Sequence, residues 1–180
     1  MPLVLNEEQT LLKSTAEDFF RRKAPVSALR ALRDKKSVDG FSRELWQEMV
    51  AMGWPGAFLP EQYGGLGCGF IELGVVLQAS GRTLVASPLF SSVVLAASGI
   101  LLGGTEEQKS ALLPRIASGE SLVVLAHQER AARYRLDQVA TRATQTDSGW
   151  TLDGAKNVVP AGDEADAFIV PARLQGATDD

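Results

Sequence analysis

The spacing of apolar and polar positions predicts helices in the first two thirds of the chain and strands in the remainder. Up to about Gly119, apolar residues recur at intervals of three and four, which is typical of amphipathic helices. Asn6 with Gln9, and Thr105 with Gln108, match the capping box that begins many helices. The predicted helices cover residues 6–24, 26–33, 42–52, 70–86, 88–102 and 105–118. The apolar face predicted for the fifth helix consists of Leu89, Val93, Ala96 and Ile100.

After residue 119 the pattern predicts strands. Residues 122–126 form a continuous apolar run, residues 139–145 alternate, and residues 167–170 form a further short apolar run. Asp147-Ser148-Gly149 and Asp153-Gly154 are both typical of hairpin turns. The predicted fold class is therefore α+β, with an N-terminal all-α helical domain at residues 1–119 and an incomplete antiparallel β-domain at residues 120–180. We expect no closing element in residues 174–180.

The composition of the chain argues against several classes of protein function. The 180 residues are 45% hydrophobic and 22% charged, with a net charge of -4, so a basic surface for nucleic acid is not expected. No apolar run approaches the roughly 20 residues of a membrane span, and the N-terminus does not resemble a signal peptide. Cys68 is the single cysteine and His127 the single histidine, which excludes an internal disulfide and the paired-ligand metal motifs. These features favour a soluble cytoplasmic protein.

A glycine-rich stretch at residues 60–67, PEQYGGLG, is the most distinctive local sequence. Its glycines would allow the backbone to approach a phosphate, but the spacing matches neither a dinucleotide fingerprint nor a Walker loop. A tight structural loop is therefore the favoured interpretation. Cys68 follows it without an adjacent base and is interpreted as an incidental thiol.

A second polar region follows the first predicted strand. His127 and Glu129 would share one face of a strand, which permits an acid–base pair, although a structural histidine is favoured. Arg130, Arg133 and Arg135 follow closely, and arginine side chains suit phosphates and carboxylates. Because Glu129 and Asp137 lie beside them in sequence, a solvated surface loop is favoured over an anion site.

Five ordered segments together resemble the acyl-CoA dehydrogenase family. They are LNEEQ at residues 5–9, LW followed by MGW within 45–54, PEQYGGLG at 60–67, GGTEEQK followed by LPRIASGE within 103–120, and GWTLDGAK at 149–156. The resemblance implies FAD bound between a β-domain and helical domains, oxidation of an acyl-CoA thioester to 2-enoyl-CoA, and an electron-transfer acceptor protein. It also implies that this chain is an N-terminal portion, since the usual glutamate base and a C-terminal helical domain lie further along than Asp180.

The resemblance assigns site residues by position. The flavin contacts it implies are Leu125, His127, Gln128, Tyr134, Val158, Val159 and Pro160. The acyl-CoA contacts it implies are Ser87, Phe90, Ser91 and Tyr134. Pro160 stands where the family usually has a hydroxyl near the flavin, and proline offers neither a hydroxyl nor an N–H. No catalytic residue and no metal ligand are assigned.

These departures resemble the divergent small-subunit branch of the family, of the pimeloyl-CoA dehydrogenase type. Members of that branch pair with a second dehydrogenase subunit, so a homo- or hetero-oligomer is expected. Two functions other than that of a catalytic flavoprotein stay open at this point. One is a non-catalytic partner subunit of a heteromeric acyl-CoA dehydrogenase, and the other is a helical interaction module unrelated to coenzyme A.

Overall fold

The computed structural model of the chain describes residues 4–36 and 38–174. The part predicted as helical forms the α-helices α1 (Glu7–Lys23), α2 (Val26–Asp34), α3 (Arg43–Ala51), α4 (Phe70–Arg82), α5 (Ser98–Gly103) and α6 (Glu106–Ala117), with a π-helix at Leu89–Ala97 and short 3₁₀ turns at Trp54–Gly56 and Glu61–Tyr63. The strands are β1 (Val123–Leu125), β2 (Arg142–Thr146), β3 (Gly149–Asp153), β4 (Ala167–Ile169) and β5 (Arg173–Leu174). The predicted α+β order is confirmed. The expectation that residues 174–180 contain no closing element concerns mainly residues 175–180, which lie outside the described residues.

Helix starts follow the local sequence. The Asn6 side chain accepts a hydrogen bond from the Gln9 N–H at 2.8 Å, and the Gln9 Oε1 accepts one from the Asn6 N–H at 3.1 Å. Thr105 and Gln108 make the same reciprocal pair at the start of α6. Both predicted capping boxes are therefore confirmed, and each satisfies two backbone donors that the first helical turn leaves unpaired.

Helix α4 ends at Arg82, four residues before the predicted end. Leu84 takes a left-handed conformation with φ of 55°. The Val85 N–H donates to the Ser80 carbonyl at 3.1 Å, and the Leu84 N–H donates to that of Gly81 at 3.2 Å. This is the Schellman pattern of a helix end, in which the left-handed position is usually a glycine. The prediction missed it because a leucine occupies that position.

The predicted helix at residues 88–102 divides into the π-helix and α5. Its predicted apolar face is confirmed, since Leu89, Val93, Ala96 and Ile100 are all buried. The π-helix packs against β1 and so joins the helical layer to the strands. Long π-helical segments are rare and often occur at functional sites.

Strand pairing is more mixed than predicted. Strands β2 and β3 form the expected antiparallel hairpin, with Thr146 opposite Gly149, so that Asp147 and Ser148 make the turn. Strands β1 and β4 pair in parallel, as do β2 and β5, so the prediction of an antiparallel domain is wrong for these two pairs. The hairpin predicted at Asp153-Gly154 is also wrong, because the chain leaves the sheet of β2 and β3 there, pairs with β1 in a second sheet as β4, and returns to the first sheet only as β5.

One hydrophobic core extends from the helices to the first strand. Fully buried side chains include Phe20 of α1, Met49 of α3, Leu113 of α6 and Val123 of β1. The Asp166 carboxylate accepts a hydrogen bond from the Leu122 N–H at 2.8 Å, which ties the approach to β4 to the start of β1. The start of β1 is therefore tied to β4, and the strand itself packs against the π-helix. In the described part of the chain, no helix has both the length and the apolar character that crossing a membrane requires.

Candidate functional site

A buried carboxylate holds together three segments beyond the end of β1. Glu129 accepts a hydrogen bond from Lys156 Nζ at 2.7 Å, and only 6% of the Glu129 side chain and 8% of the Lys156 side chain are exposed. Thr141 donates to the same carboxylate from its N–H at 3.0 Å and its hydroxyl at 2.7 Å. The Ala140 N–H donates to the second oxygen at 2.6 Å.

These bonds keep the carboxylate ionised. Desolvation is the largest single effect and raises the pKa of Glu129, but the hydrogen bonds from Lys156, Thr141 and Ala140 together outweigh it. The pKa is lowered to about 2. A carboxylate with so low a pKa is a poor general base near neutral pH. Glu129 is thus a positioning residue, and the alternative of an acid–base pair with His127 loses its support.

A second clasp joins the same two stretches of chain. The Asn157 N–H donates to the Gln128 carbonyl at 2.8 Å, and the Arg130 N–H donates to the Asn157 side-chain oxygen at 2.9 Å. Residues 127–130 and 156–158 therefore run side by side, although almost 30 positions separate them in the sequence. Their side chains form the walls of two adjoining grooves.

The first groove, called here the apolar groove, has a volume of about 480 Å³. Its walls are Leu95 from the π-helix, Leu125, His127 and Gln128 from the end of β1, Leu136 from the following loop, and Val158 and Pro160. The apolar side chains predominate, with two polar groups that can make hydrogen bonds. This combination, and the volume, are typical of small-molecule sites.

The second groove, called here the arginine groove, has a volume of about 610 Å³. It is lined by Gln128, Glu129, Arg130, Arg133, Tyr134, Asn157 and Val158. Gln128 and Val158 line both grooves and so form the ridge between them.

The backbone around the grooves is strained. Val158 has a φ of 48° and Arg133 a φ of 52°, in the left-handed region where side chains other than glycine are disfavoured. For a β-branched residue such as valine this conformation is a genuine outlier. Strain of this kind persists only where surrounding contacts impose it, and it is concentrated at binding sites.

The structure brings most of the predicted flavin contacts together. Leu125, His127, Gln128, Val158 and Pro160 all line the apolar groove. Tyr134 lies in the arginine groove, on the other side of the ridge.

The remaining predicted contacts lie apart from both grooves. Val159 is half-buried and packs against Gly162. Ser87 precedes the π-helix, while Phe90 is half exposed and Ser91 is buried within it. From that helix it is Leu95, rather than Phe90 or Ser91, that reaches the apolar groove.

Sequence reasoning missed Leu95 and Leu136 as groove residues. Leu95 had no separate signal, since a leucine on an apolar helix is indistinguishable from a core residue. Leu136 had no signal either, since its 76% exposure is visible only in the structure and a single leucine in a polar loop is ordinary.

The glycine-rich stretch has a structural role. The Gly65 N–H donates to the Pro60 carbonyl and the Gly67 N–H donates to that of Leu59. A Cβ atom at Gly65 would overlap the Leu59 carbonyl, so this close approach requires glycine. These contacts support the interpretation of residues 60–67 as a tight structural loop.

The comparisons with known proteins all point to the same family. A sequence model of the acyl-CoA dehydrogenase N-terminal domain matches residues 6–120. The acyl-CoA dehydrogenase FadE12 of Mycobacterium tuberculosis is 33% identical over 150 residues, which cover 80% of this chain and 37% of that protein. The mitochondrial isovaleryl-CoA dehydrogenase of Bos taurus is 30% identical over 171 residues, covering 94% of this chain and 40% of that protein.

A solved structure is also similar in fold. A chain in the ChsE4–ChsE5 complex of Mycobacterium tuberculosis superposes with a TM-score of 0.84 and 29% identity, over 97% of this chain and 46% of its own length. This chain therefore spans less than half the length of the relatives it matches. The matched family model extends over more than half of its residues, and the chain belongs to the acyl-CoA dehydrogenase family.

Proposed function

We propose that this chain supplies part of the flavin site of an FAD-dependent acyl-CoA dehydrogenase, an oxidoreductase that acts on the CH–CH bond of an acyl-CoA thioester. The observation that carries the proposal is the apolar groove. Five residues assigned to the flavin from the family resemblance, on two distant segments, meet in its walls. Family membership supports the reaction class.

The residues of the apolar groove fit an isoalloxazine ring. Such a ring has two apolar faces and a polar edge, and the groove offers Leu95, Leu125 and Val158 for a face and Gln128 for an edge. Pro160 fits less well, because it can cover the ring but has no hydrogen to donate. When bound, the flavin would accept the hydride that leaves the acyl chain.

The chain's own residues would orient the reactants and exclude water. The Glu129 and Asn157 clasps fix the two walls, which sets the width of the groove before any ligand arrives. Preorganised walls of this kind lower the entropy lost on binding. No catalytic acid or base is assigned within residues 1–180, and we propose that a segment or subunit outside this sequence supplies the base.

Binding of FAD to the purified protein, followed by flavin fluorescence, tests the proposal. Leu136→Asp places a carboxylate at the rim of the apolar groove and should weaken FAD binding at least about tenfold, since the ring would have to approach a charge. Leu102→Asp is the matched control, because Leu102 is 90% exposed and lies on α5 away from both grooves. The proposal fails if the wild-type protein binds no flavin, or if both variants bind equally well.

A second candidate function is a non-catalytic partner subunit of a heteromeric acyl-CoA dehydrogenase. Two observations favour it, namely Pro160 in the wall of the apolar groove and the resemblance of fold to a chain in a two-protein complex. Copurification with a dehydrogenase partner and a count of flavins decides between the two functions. One flavin for each pair of chains, retained by the partner when the two are separated, supports the partner role, and a flavin in every chain contradicts it.

We propose an acyl-CoA substrate, an electron-transfer acceptor protein and an oligomer with the same or a second dehydrogenase subunit. We also propose that residues 1–119 and 120–180 belong to separate domains of the complete enzyme. The cytoplasmic location stays a prediction from the sequence.

A further inference from the structure

One wall of the apolar groove is tied to the helical part of the chain through Glu164. The Glu164 Oε1 accepts a hydrogen bond from the Gly40 N–H at 2.8 Å, and its Oε2 accepts one from Arg43 Nη2 at 3.1 Å. The two donors lie 124 and 121 positions earlier in the sequence, in the loop before α3 and at its first residue. Only 5% of the Glu164 side chain is exposed, so its partners enclose the carboxylate. These contacts are called here the Glu164 clasp.

Arg43 is held in place by its own loop. Its guanidinium donates to both oxygens of Asp39, at 3.0 and 3.3 Å, and lies over the buried ring of Phe41, 5.6 Å from the centroid. A side chain that is already ordered loses less conformational entropy when it makes a further contact. The loop at residues 39–43 is therefore preorganised to hold the Glu164 carboxylate.

The segment that forms this wall is fixed on both sides. Before it lie the contacts that residues 156–157 make with the end of β1. After it lies the Glu164 clasp, two residues ahead of the contact between Asp166 and the start of β1. The groove residues Val158 and Pro160 stand between these fixed points. The clasp therefore helps to set how far this wall lies from the opposite one.

Two consecutive turns connect Glu164 to the groove. The Glu164 N–H donates to the Ala161 carbonyl at 3.3 Å, and the Gly162 N–H donates to the Val159 carbonyl at 3.0 Å. Each turn restricts the backbone between the residues that it joins. A displacement of Glu164 would therefore be transmitted along the segment to Pro160.

Backbone strain in the segment also indicates a constraint from its ends. Val158 has a φ of 48° and Ala161 a φ of 56°, both in the left-handed region that residues with a Cβ disfavour. Such conformations persist only where surrounding contacts impose them. The Val158 side chain is 81% exposed, so its own packing is too slight to do so. The contacts on either side of the segment, the Glu164 clasp among them, supply the constraint.

We propose that Glu164 is a positioning residue for the flavin, and that it acts through Pro160 by holding this wall of the apolar groove against the loop before α3. This role rests on the proposed function, because it takes FAD as the ligand of the apolar groove. None of the described residues 38–43 lines either groove, yet they gain a part in flavin binding. Coupling between two sites is reciprocal, so bound FAD should in turn stabilise residues 38–43.

Glu164→Ala removes both contacts of the clasp, and Glu72→Ala is the matched control. Glu72 likewise accepts one backbone N–H, from Gly69 at 2.8 Å, and one side-chain donor, from Gln9 at 2.7 Å, in the helical part of the chain. In fluorescence titrations with FAD, at a temperature where both variants are folded, Glu164→Ala should raise the Kd about tenfold and Glu72→Ala less than about twofold. Equal Kd values for the two variants would overturn the role of Glu164 and leave the flavin proposal standing.

The ion pair itself is tested by Glu164→Gln, Arg43→Gln and the double variant. Glutamine at position 164 keeps an acceptor for the Gly40 N–H but loses the charge that faces Arg43. Each single substitution should raise the Kd for FAD about threefold, and the double variant should raise it no further, because both remove the same interaction. Effects that multiply to about ninefold in the double variant would show independent roles and would contradict the pairing.

Hydrogen–deuterium exchange tests the coupling in the wild-type protein. On saturation with FAD, residues 38–43 should exchange more slowly, and this slowing should be absent in Glu164→Ala. Unchanged exchange at 38–43 in the FAD-bound wild type would overturn the role of Glu164.

The same method, applied without ligand, separates the two proposals if the wild-type protein binds no flavin. Faster exchange at residues 158–163 in Glu164→Ala than in Glu72→Ala would then sustain Glu164 as the anchor of the wall and refute only the flavin as its ligand. Equal exchange at 158–163 in the two variants would overturn the anchor as well.

Discussion

The buried pair of Glu129 and Lys156 allows the sharpest prediction about stability. The pKa of Glu129 falls from 4.5 to about 2 on folding, so the folded protein holds the ionised form more tightly than the unfolded chain does. A depressed carboxyl pKa contributes stability that is fully present above about pH 4.5 and is lost as the pH falls towards 2. At about 1.4 kcal/mol per pKa unit the full shift corresponds to about 3 kcal/mol.

We expect about 2 kcal/mol of this to be measurable, because the pair lies at the wall of a groove where water screens the charges. In Glu129→Gln the loss is larger at neutral pH, about 3 kcal/mol, since Lys156 stays buried without its counter-charge. The variant should then lose less further stability than the wild type between pH 5 and about pH 2.

Urea unfolding of both proteins from neutral pH downwards measures these differences. Glu120→Gln is the matched control, because Glu120 pairs with Arg115 on the surface and its loss should cost less than about 1 kcal/mol. Parallel pH profiles for the wild type and Glu129→Gln would refute the reasoning. Equal stability of Glu129→Gln and Glu120→Gln at neutral pH would refute it as well.

Two further substitutions test the strained ridge and the tight loop. Val158→Asn should raise the free energy of unfolding by about 1 kcal/mol, because asparagine tolerates the left-handed φ of 48° better than valine does. An unchanged or lower melting temperature of this variant would argue against backbone strain at Val158. Gly65→Ala should lower the free energy of unfolding by about 3 kcal/mol, because the added Cβ overlaps the Leu59 carbonyl. Gly74→Ala is the control, since Gly74 lies inside α4 with open space around it, and alanine there should raise the free energy of unfolding by about 0.5–1 kcal/mol. Comparable melting temperatures for the two alanine variants would contradict the close approach.

Local features of the fold were predictable from the sequence. The capping boxes at Asn6 and Thr105 involve residues three positions apart, so the pattern contains all the information needed. The end of α4 was not predictable because Leu84 adopts a conformation that leucine rarely takes. The parallel pairing of β1 with β4 depends on segments more than 40 residues apart, which local patterns do not encode.

The candidate site, like the fold, was predictable from the sequence only in part. The order of the segments that resemble the family was enough to assign Leu125 and Pro160 as flavin contacts, and the two residues meet in the apolar groove. The surroundings of Arg130 and Arg133 in the arginine groove were not predictable, since Glu129 turns inward to Lys156, which lies 27 positions further along the chain. A charge count along the sequence treats that carboxylate as a neighbour of the arginines, whereas the fold removes it from the surface.

Hydrogen–deuterium exchange of the purified protein with and without FAD tests the central claim most directly, because it locates the ligand on the chain. The account predicts slower exchange at residues 125–128 and 156–160, the two walls of the apolar groove, and unchanged exchange in the glycine-rich loop at 60–67. Slower exchange confined to residues 60–67, or no change at either wall on saturation with FAD, would contradict it.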